Sequence, residues 1–139
     1  MDPQLINYVA VVVCAVLSMI VGGLWYSPVL FGKQWIKLMG FSEQDVEKMK
    51  KQPMGKLYFG GFIASLVLAY VLAHVVSIFG AETWQEGAVT GFWMWLGFVA
   101  TKTLGGVLWE GKKLDLYLLN VAYDLVMFLL MGAILAVWA

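Results

Sequence analysis

Four long apolar stretches, separated by short polar segments, dominate the chain. They occupy residues 5–26, 57–79, 87–109 and 116–138, so each holds about 22–23 residues. About 20 residues of α-helix are enough to cross the hydrocarbon core of a bilayer. The pattern therefore predicts one all-α domain over residues 1–139, built as an integral membrane four-helix transmembrane bundle.

The composition supports this interpretation and excludes several classes of protein. Hydrophobic residues make up 62% of the chain and charged residues 13%, whereas an ordinary soluble domain has roughly 45–50% apolar and ~25% charged residues. A soluble domain of this composition would have too little polar surface to cover its core. The chain has no Arg and no net charge, which argues against a nucleic-acid partner.

The lysines are distributed unevenly between the two ends of the predicted bundle. Eight of the nine lie in two connecting segments, residues 33–56 and 112–113. The opposite face carries no lysine and only the acidic residues Asp2, Glu82 and Glu86. Because lysine-rich loops face the cytoplasm, we expect a multi-pass protein of the inner (plasma) membrane with both termini outside.

The first lysine-rich segment has internal structure. Ser42 followed by Asp45 is typical of a capping box, which predicts a short amphipathic cytoplasmic helix from there to about Lys51. Residues 31–39, upstream, mix apolar residues with Lys33 and Lys37. They fit a segment lying on the membrane surface, with lysines toward anionic headgroups, or an ordinary solvated loop.

Small residues recur every fourth position along the second apolar stretch, which predicts a helix-packing surface. They are Gly61, Ser65, Ala69, Ala73 and Ser77. The first stretch places Asn7, Cys14, Ser18, Gly22 and Trp25 near one helical face. We expect these two stripes to meet each other or a second subunit, so a homo-oligomer is also expected.

Lys102 and Asp124 are the only full charges well inside a predicted span. Spans three and four are antiparallel and joined by a short turn, so the two residues should be neighbours. An unpaired charge at the centre of a span costs about 2.5–3.5 kcal/mol on insertion scales, and pairing would reduce that cost. Asn120 and Tyr123 lie close to Asp124 on the fourth span and extend the predicted polar seam.

The seam has three interpretations. It is a binding site or a proton or ion relay in which Asp124 titrates and Lys102 modulates its pKa. Alternatively it is a structural ion pair that fixes the register of the last two helices, or Lys102 reaches the inner headgroups with its long stem. The first interpretation predicts a small transporter or channel-like protein for an unknown solute or ion.

Other chemistry has little support in the sequence. His74 and Cys14 each stand alone, so we expect no metal site and no cofactor. We also see no catalytic constellation and do not expect an enzyme. The alternative to transport is a non-transporting accessory or scaffold protein that binds partner membrane proteins or lipids through its cytoplasmic loop.

A short string after the first apolar stretch carries a family resemblance. Its members are Trp25, Tyr26, Ser27, Pro28, Phe31 and Gly32, with Asn7, Trp35, Asn120 and Tyr123 elsewhere. With these residues the chain resembles a family of small prokaryotic four-span membrane proteins classed as domain of unknown function 1761. The resemblance implies a shared architecture and no activity. The Trp-Tyr-Ser-Pro corner itself is either a rigid helix stop at the headgroups or one wall of the polar seam.

Overall fold

The computed structural model describes residues 6–138, and every regular element in that range is helical. The elements are α1 (Tyr8–Trp25), α2 (Gly32–Met39), α3 (Glu43–Lys51), α4 (Met54–Ile78), α5 (Trp84–Met94), a π-helical segment (Trp95–Ala100), α6 (Thr101–Glu110) and α7 (Leu114–Val137). Leu5, where the first predicted span begins, and Asp2 lie outside the described residues.

Within the described residues, three helices are long and apolar enough to cross a membrane: Tyr8–Trp25, Gly55–Ile78 and Leu114–Val137. The third predicted span, residues 87–109, falls on α5, the π segment and α6, which have 11, 6 and 10 residues. These pieces follow one another without a break. The π segment therefore divides a continuous helical stretch into α-helices that are individually too short.

α7 is the central helix, since it contacts α1, α2, α4, α5, α6 and the π segment. At one end of the bundle, the Asn7 side chain accepts a 3.2 Å hydrogen bond from the Ala10 amide and donates a 2.9 Å bond to the Trp138 carbonyl. At the other end, the Trp25 indole donates to the Leu119 carbonyl at 3.2 Å. α1 and α7 are therefore antiparallel, and we name the two ends the Asn7 end and the Trp25 end.

The closest helix crossing lies between α5 and α7. A Cβ atom added at Gly87 would overlap the Gly132 carbonyl, and one at Gly91 would overlap the Phe128 carbonyl. The two backbones can approach this closely only because both positions are glycine. Gly87 and Gly91 have the four-residue spacing of a helix-packing motif, and this spacing is visible in the sequence.

The small residues of α4 pack instead against α1. The Ser65 and Ser18 hydroxyls lie 3.1 Å apart, within hydrogen-bond distance, and a Cβ at Gly61 would come within 3.9 Å of the Met19 side chain. Ala69 and Ala73 are buried. Of the two arrangements left open by the sequence, the structure has the two stripes in contact within one chain.

Much of the outer surface is apolar. α1 exposes Val9, Val12, Val16, Ile20 and Leu24, and α4 exposes Leu57, Phe59, Val67, Val71 and Ile78. A soluble monomer rarely exposes contiguous apolar surface of this extent. These faces therefore fit a chain whose surroundings are apolar.

The predicted capping box is confirmed at the start of α3. The Ser42 hydroxyl accepts a 3.1 Å hydrogen bond from the Asp45 amide, and the Asp45 carboxylate accepts a 2.9 Å bond from the Ser42 amide. These hydrogen bonds hold the pKa of the Asp45 carboxyl below its usual value. α3 has no buried residue. Packing against a core therefore does not stabilise this helix, and the hydrogen bonds of its capping box do.

Candidate functional site

The site begins at the corner where α1 ends. The Ser27 hydroxyl donates a 2.6 Å hydrogen bond to the Leu24 carbonyl, and the Gly32 amide donates a 2.8 Å bond back to the Ser27 carbonyl. A Cβ atom at Gly32 would lie 2.5 Å from the Tyr26 carbonyl oxygen, closer than real side chains approach. Pro28 opposes continuation of the helix, and Gly32 lets the chain fold back on itself into α2.

The corner is held against α7 by aromatic side chains. The Tyr26 hydroxyl donates a 2.8 Å hydrogen bond to the Asn120 side-chain oxygen. The Tyr26 ring centroid lies 5.6 Å from that of Tyr123, and the Trp25 and Phe31 centroids are 4.7 Å apart. The two segments that carry the family resemblance are therefore in direct contact.

Tyr123 extends this network into the bundle. Its hydroxyl donates a 2.9 Å hydrogen bond to the Ser18 carbonyl. A Cβ at Gly22 would come within 3.0 Å of the same hydroxyl, so Gly22 leaves the space that the Tyr123 side chain occupies. The side chains of Asn120 and Tyr123 thus make their hydrogen bonds with α1 and the corner that follows it.

Asp124 lines a cleft of about 170 Å³ between α6 and α7. The cleft is lined by Thr103, Val107, Lys112, Leu116, Tyr117, Asn120, Val121 and Asp124. Liquid water occupies about 30 Å³ per molecule, so the cleft has room for roughly five waters or a small solute. It combines one carboxylate with hydroxyl and amide groups.

The Asp124 carboxylate is half-buried and faces this cleft without a protein partner. Within residues 6–138, no hydrogen bond and no ion pair reaches it, and the one ion pair in that range joins Lys112 Nζ to Glu110 Oε2 at 3.2 Å. The neighbouring polar side chain, Asn120, is already bonded to Tyr26. The carboxylate is therefore free to take a proton or a cation from the cleft.

The expected ion pair between Lys102 and Asp124 is not formed in the described structure. Lys102 is exposed and does not line the cleft. The lysine of the cleft is Lys112, whose side chain is 63% exposed and crosses Gly106, where an added Cβ would lie 3.1 Å from the lysine stem. The structure therefore places Asp124 in a cleft with Lys112, and Lys102 lies outside that cleft.

The π segment explains why Lys102 does not face Asp124. A π turn contains one extra residue per turn, so it rotates every later side chain by about 100° relative to an uninterrupted α-helix. Lys102, which the sequence predicts beside Asp124, is exposed, and so is Phe98 one turn before it. Val99 packs against the core and Thr103 lines the cleft, each one position further along.

Hydrogen bonds fasten the π segment to α7 at both ends. The Trp95 indole donates to the Val121 carbonyl at 2.9 Å, and the Tyr117 hydroxyl donates to the Ala100 carbonyl. Just after the segment, the Thr101 and Thr103 hydroxyls donate hydrogen bonds back to the Gly97 and Val99 carbonyls, at 2.7 and 2.6 Å. π segments occur frequently at functional sites, and this one sets which residues line the cleft. No local sequence signal distinguishes it from α-helix.

The cleft does not continue to the Asn7 end. Met127 and Phe128 are buried beyond it, and Met131 is fully buried. Its Lys112 end reaches the exposed surface at the Trp25 end of the bundle. A single chain therefore presents a cleft that contains one carboxylate, reaches the surface at its Lys112 end and is bounded by apolar packing toward the Asn7 end.

His74 and Cys14 are not among the residues that line the Asp124 cleft. The His74 ring packs edge-on against Tyr70, with ring centroids 4.7 Å apart, and Cys14 is a buried free thiol. Among residues 6–138, no three His, Cys, Asp or Glu side chains are grouped closely enough to hold a metal ion. Of the residues that line the Asp124 cleft, Asp124 is the one with a carboxylate.

A family model described as "Protein of unknown function (DUF1761)" matches residues 9–136. No curated protein and no solved structure matches the chain.

Proposed function

The chain belongs to the DUF1761 family of unknown function, and we propose that it is a small transporter or channel-like protein of the inner membrane. In this proposal it spans the membrane four times. The continuous helical stretch Trp84–Glu110 is the third span, and the lysine-rich Trp25 end faces the cytoplasm. Both termini are then outside, and we assign no catalytic activity to the chain.

This topology can be tested with single cysteines. Cys14 is the only native cysteine, so a Cys14→Ala chain provides a clean background. Gln44→Cys in α3 and Gln85→Cys in α5 are at exposed positions at opposite ends of the bundle. In intact cells, a membrane-impermeant maleimide should label the second variant and not the first. The reverse pattern, or equal labelling of both, would contradict the proposed topology.

The observation that carries the proposed activity is the unpartnered Asp124 carboxylate in the cleft. An ionisable side chain inside the membrane is expensive to keep and most often marks a pathway for ions or protons. Asp124 would take up a proton or monovalent cation that enters past Lys112. Oxygen atoms of Thr103, Tyr117 and Asn120 line the same cleft and would replace part of the water around the bound ion.

In this conformation, a proton or cation bound at Asp124 has no path to the other side of the membrane. The apolar packing of Met127, Phe128 and Met131 blocks the cleft. Movement of α6 against α7, or a pathway completed by a second copy of the chain, would connect it to the outside. We therefore include a homo-oligomer in the proposal, and the exposed apolar faces of α1 and α4 are available for that contact.

The activity can be tested in proteoliposomes that contain a trapped pH-sensitive dye. A potassium gradient with valinomycin supplies the driving force for proton flux. Asp124→Asn should lower the protein-dependent flux by about tenfold or more, because a neutral amide cannot exchange protons. Glu47→Gln, on the exposed surface of α3, is the matched control and should retain the wild-type flux.

Two results would overturn the proposed proton pathway. One is an unchanged flux in Asp124→Asn, and the other is a wild-type protein that carries no flux. The same vesicles under a sodium gradient, with a sodium-sensitive dye, distinguish a monovalent cation from a proton.

A second candidate function follows from α2 and α3. α3 is fully outside the core and carries Lys48, Lys50 and Lys51 in its last turn. Such an arm would suit an accessory or scaffold protein that binds other membrane proteins. Cross-linking in native membranes should then recover a second protein attached to α3, and recovery of the chain alone would count against this function.

A further inference from the structure

A second concavity lies between α2 and α7, on the other side of α7 from the Asp124 cleft. It has a volume of about 610 Å³, within the range of about 300–1,000 Å³ that small-ligand sites occupy. It is lined by Trp25, Phe31, Gln34, Lys37, Leu38, Asp115, Leu118, Leu119 and Ala122. We call it the α2–α7 groove.

The groove has an apolar floor and a polar rim of mixed charge. Trp25 and Phe31 form part of the floor, and the Trp25 indole is fixed by its hydrogen bond to the Leu119 carbonyl. Lys37 and Asp115 stand on the rim and are both exposed. They do not pair with each other, since the one ion pair among the described residues joins Lys112 and Glu110.

We infer that the α2–α7 groove binds a phospholipid whose headgroup carries both a phosphate and a primary ammonium, as in phosphatidylethanolamine. The phosphate would accept a charge-assisted hydrogen bond from Lys37, and the ammonium would donate one to Asp115. The apolar floor would take the first part of the acyl chains. This inference uses the proposed membrane topology, which sets the groove at the level of the inner headgroups, and does not use the proposed ion pathway.

Charge complementarity selects this headgroup over the other common ones. An anionic headgroup with no ammonium would bring its negative charge toward Asp115 without compensation. The phosphatidylcholine headgroup also pairs a phosphate with a positive nitrogen, but that quaternary nitrogen has no N–H to donate to the carboxylate. Only a headgroup with opposite charges and an N–H donor satisfies Lys37 and Asp115 together.

The test is native mass spectrometry of the purified full-length chain in detergent with added phosphatidylethanolamine, phosphatidylcholine or phosphatidylglycerol. The wild type should bind phosphatidylethanolamine about fivefold more tightly than phosphatidylcholine, which corresponds to about 1 kcal/mol for one additional hydrogen bond to a charged, exposed group. Asp115→Asn should remove that preference. Lys37→Gln should weaken the binding of all three lipids, because each carries a phosphate.

Lys33→Gln and Glu43→Gln are the matched controls, since both are exposed charges that do not line the groove. They should retain the wild-type preference. Equal binding of the three lipids by the wild type, a preference for phosphatidylglycerol, or a preserved ethanolamine preference in Asp115→Asn would each overturn the inference. Unfolding temperatures of all variants in the same detergent confirm that the compared proteins are folded.

The lipid readout is independent of flux. If Asp124→Asn leaves the flux unchanged while the ethanolamine preference is present in the wild type, only the ion pathway is wrong. If the flux depends on Asp124 and no lipid preference exists, only the lipid site is wrong.

Discussion

The Tyr26 hydroxyl donates its hydrogen bond to the side chain of Asn120, 94 residues further along the chain. Asn120 lies one helical turn before Asp124 on α7, so the two share a face. The corner after α1 therefore holds the part of α7 that lines the cleft. This contact connects the family motif to the candidate site.

Tyr26→Phe removes this hydrogen bond and keeps the aromatic packing. Side-chain hydrogen bonds between membrane helices average about 0.6 kcal/mol and reach about 1.7 kcal/mol, so we expect the free energy of unfolding to fall by that amount. Tyr58→Phe, at an exposed position of α4, is the control and should be neutral. Unfolding in detergent measures both, and equal stability of Tyr26→Phe and wild type would contradict the assigned bond.

Gly87→Ala should strongly destabilise the α5–α7 crossing. The added methyl would overlap the Gly132 carbonyl, which forces the helices apart, and overpacking of this kind costs about 1–3 kcal/mol. Gly60→Ala, in α4, adds the same methyl into open space and should be neutral or slightly stabilising. If thermal unfolding shows the two variants to be equally stable, the close crossing is wrong.

The two serines on the small-residue face of α4 should respond in opposite directions. The Ser77 hydroxyl is buried with no hydrogen-bond partner among the described residues, so Ser77→Ala removes an unsatisfied polar group and should stabilise by about 1 kcal/mol. Ser65→Ala breaks the contact with Ser18 and should destabilise by about 0.6 kcal/mol. Chemical unfolding of both variants decides the sign, and destabilisation by Ser77→Ala would show that its hydroxyl is bonded.

Lys102→Leu should not lower the stability of the protein. Lys102 is exposed and has no acidic partner in the described structure, so the substitution breaks no ion pair. In a bilayer it removes a charge whose insertion costs about 2.5–3.5 kcal/mol at a span centre. If the unfolding temperature of Lys102→Leu in lipid nanodiscs were clearly lower than that of the wild type, Lys102 would have to form an ion pair that the structure does not show.

The capping box of α3 predicts a pH dependence. The pKa of the Asp45 carboxyl is lowered by its hydrogen bonds with Ser42, so it lies below the unfolded value of about 3.9. The contribution of the capping box is therefore fully present above that pH and is lost as the pH falls through the folded-state pKa. The larger part of this lowering comes from the Ser42 backbone amide and the smaller part from its hydroxyl. NMR titration should therefore show a small rise in the Asp45 pKa in Ser42→Ala, which loses only the hydroxyl, and little change in Ser42→Thr, which keeps it. Equal pKa values in the two variants would contradict the part assigned to the hydroxyl.

Sequence analysis could predict the elements whose physics is local. Apolar stretches form helices because each backbone group finds its partner four residues away, and Ser42 with Asp45 marks a helix start through bonds that span three residues. The string from Trp25 to Gly32 likewise marked a corner, because Pro28 and the crowded Gly32 act on their own neighbours. Asp124 can be identified from the sequence for the same reason, because it is a charged residue inside an apolar stretch.

What only the tertiary structure decided is which side chains meet. The direction of each side chain on a helix depends on every turn before it. The one extra residue in the π turn therefore rotates Lys102 away from Asp124, and it brings Thr103 into the cleft. The bond from Tyr26 to Asn120 and the crossing of Gly87 with Gly132 depend on how separate helices pack. Periodicity fixes the spacing of positions within a helix, and only packing fixes where that helix points.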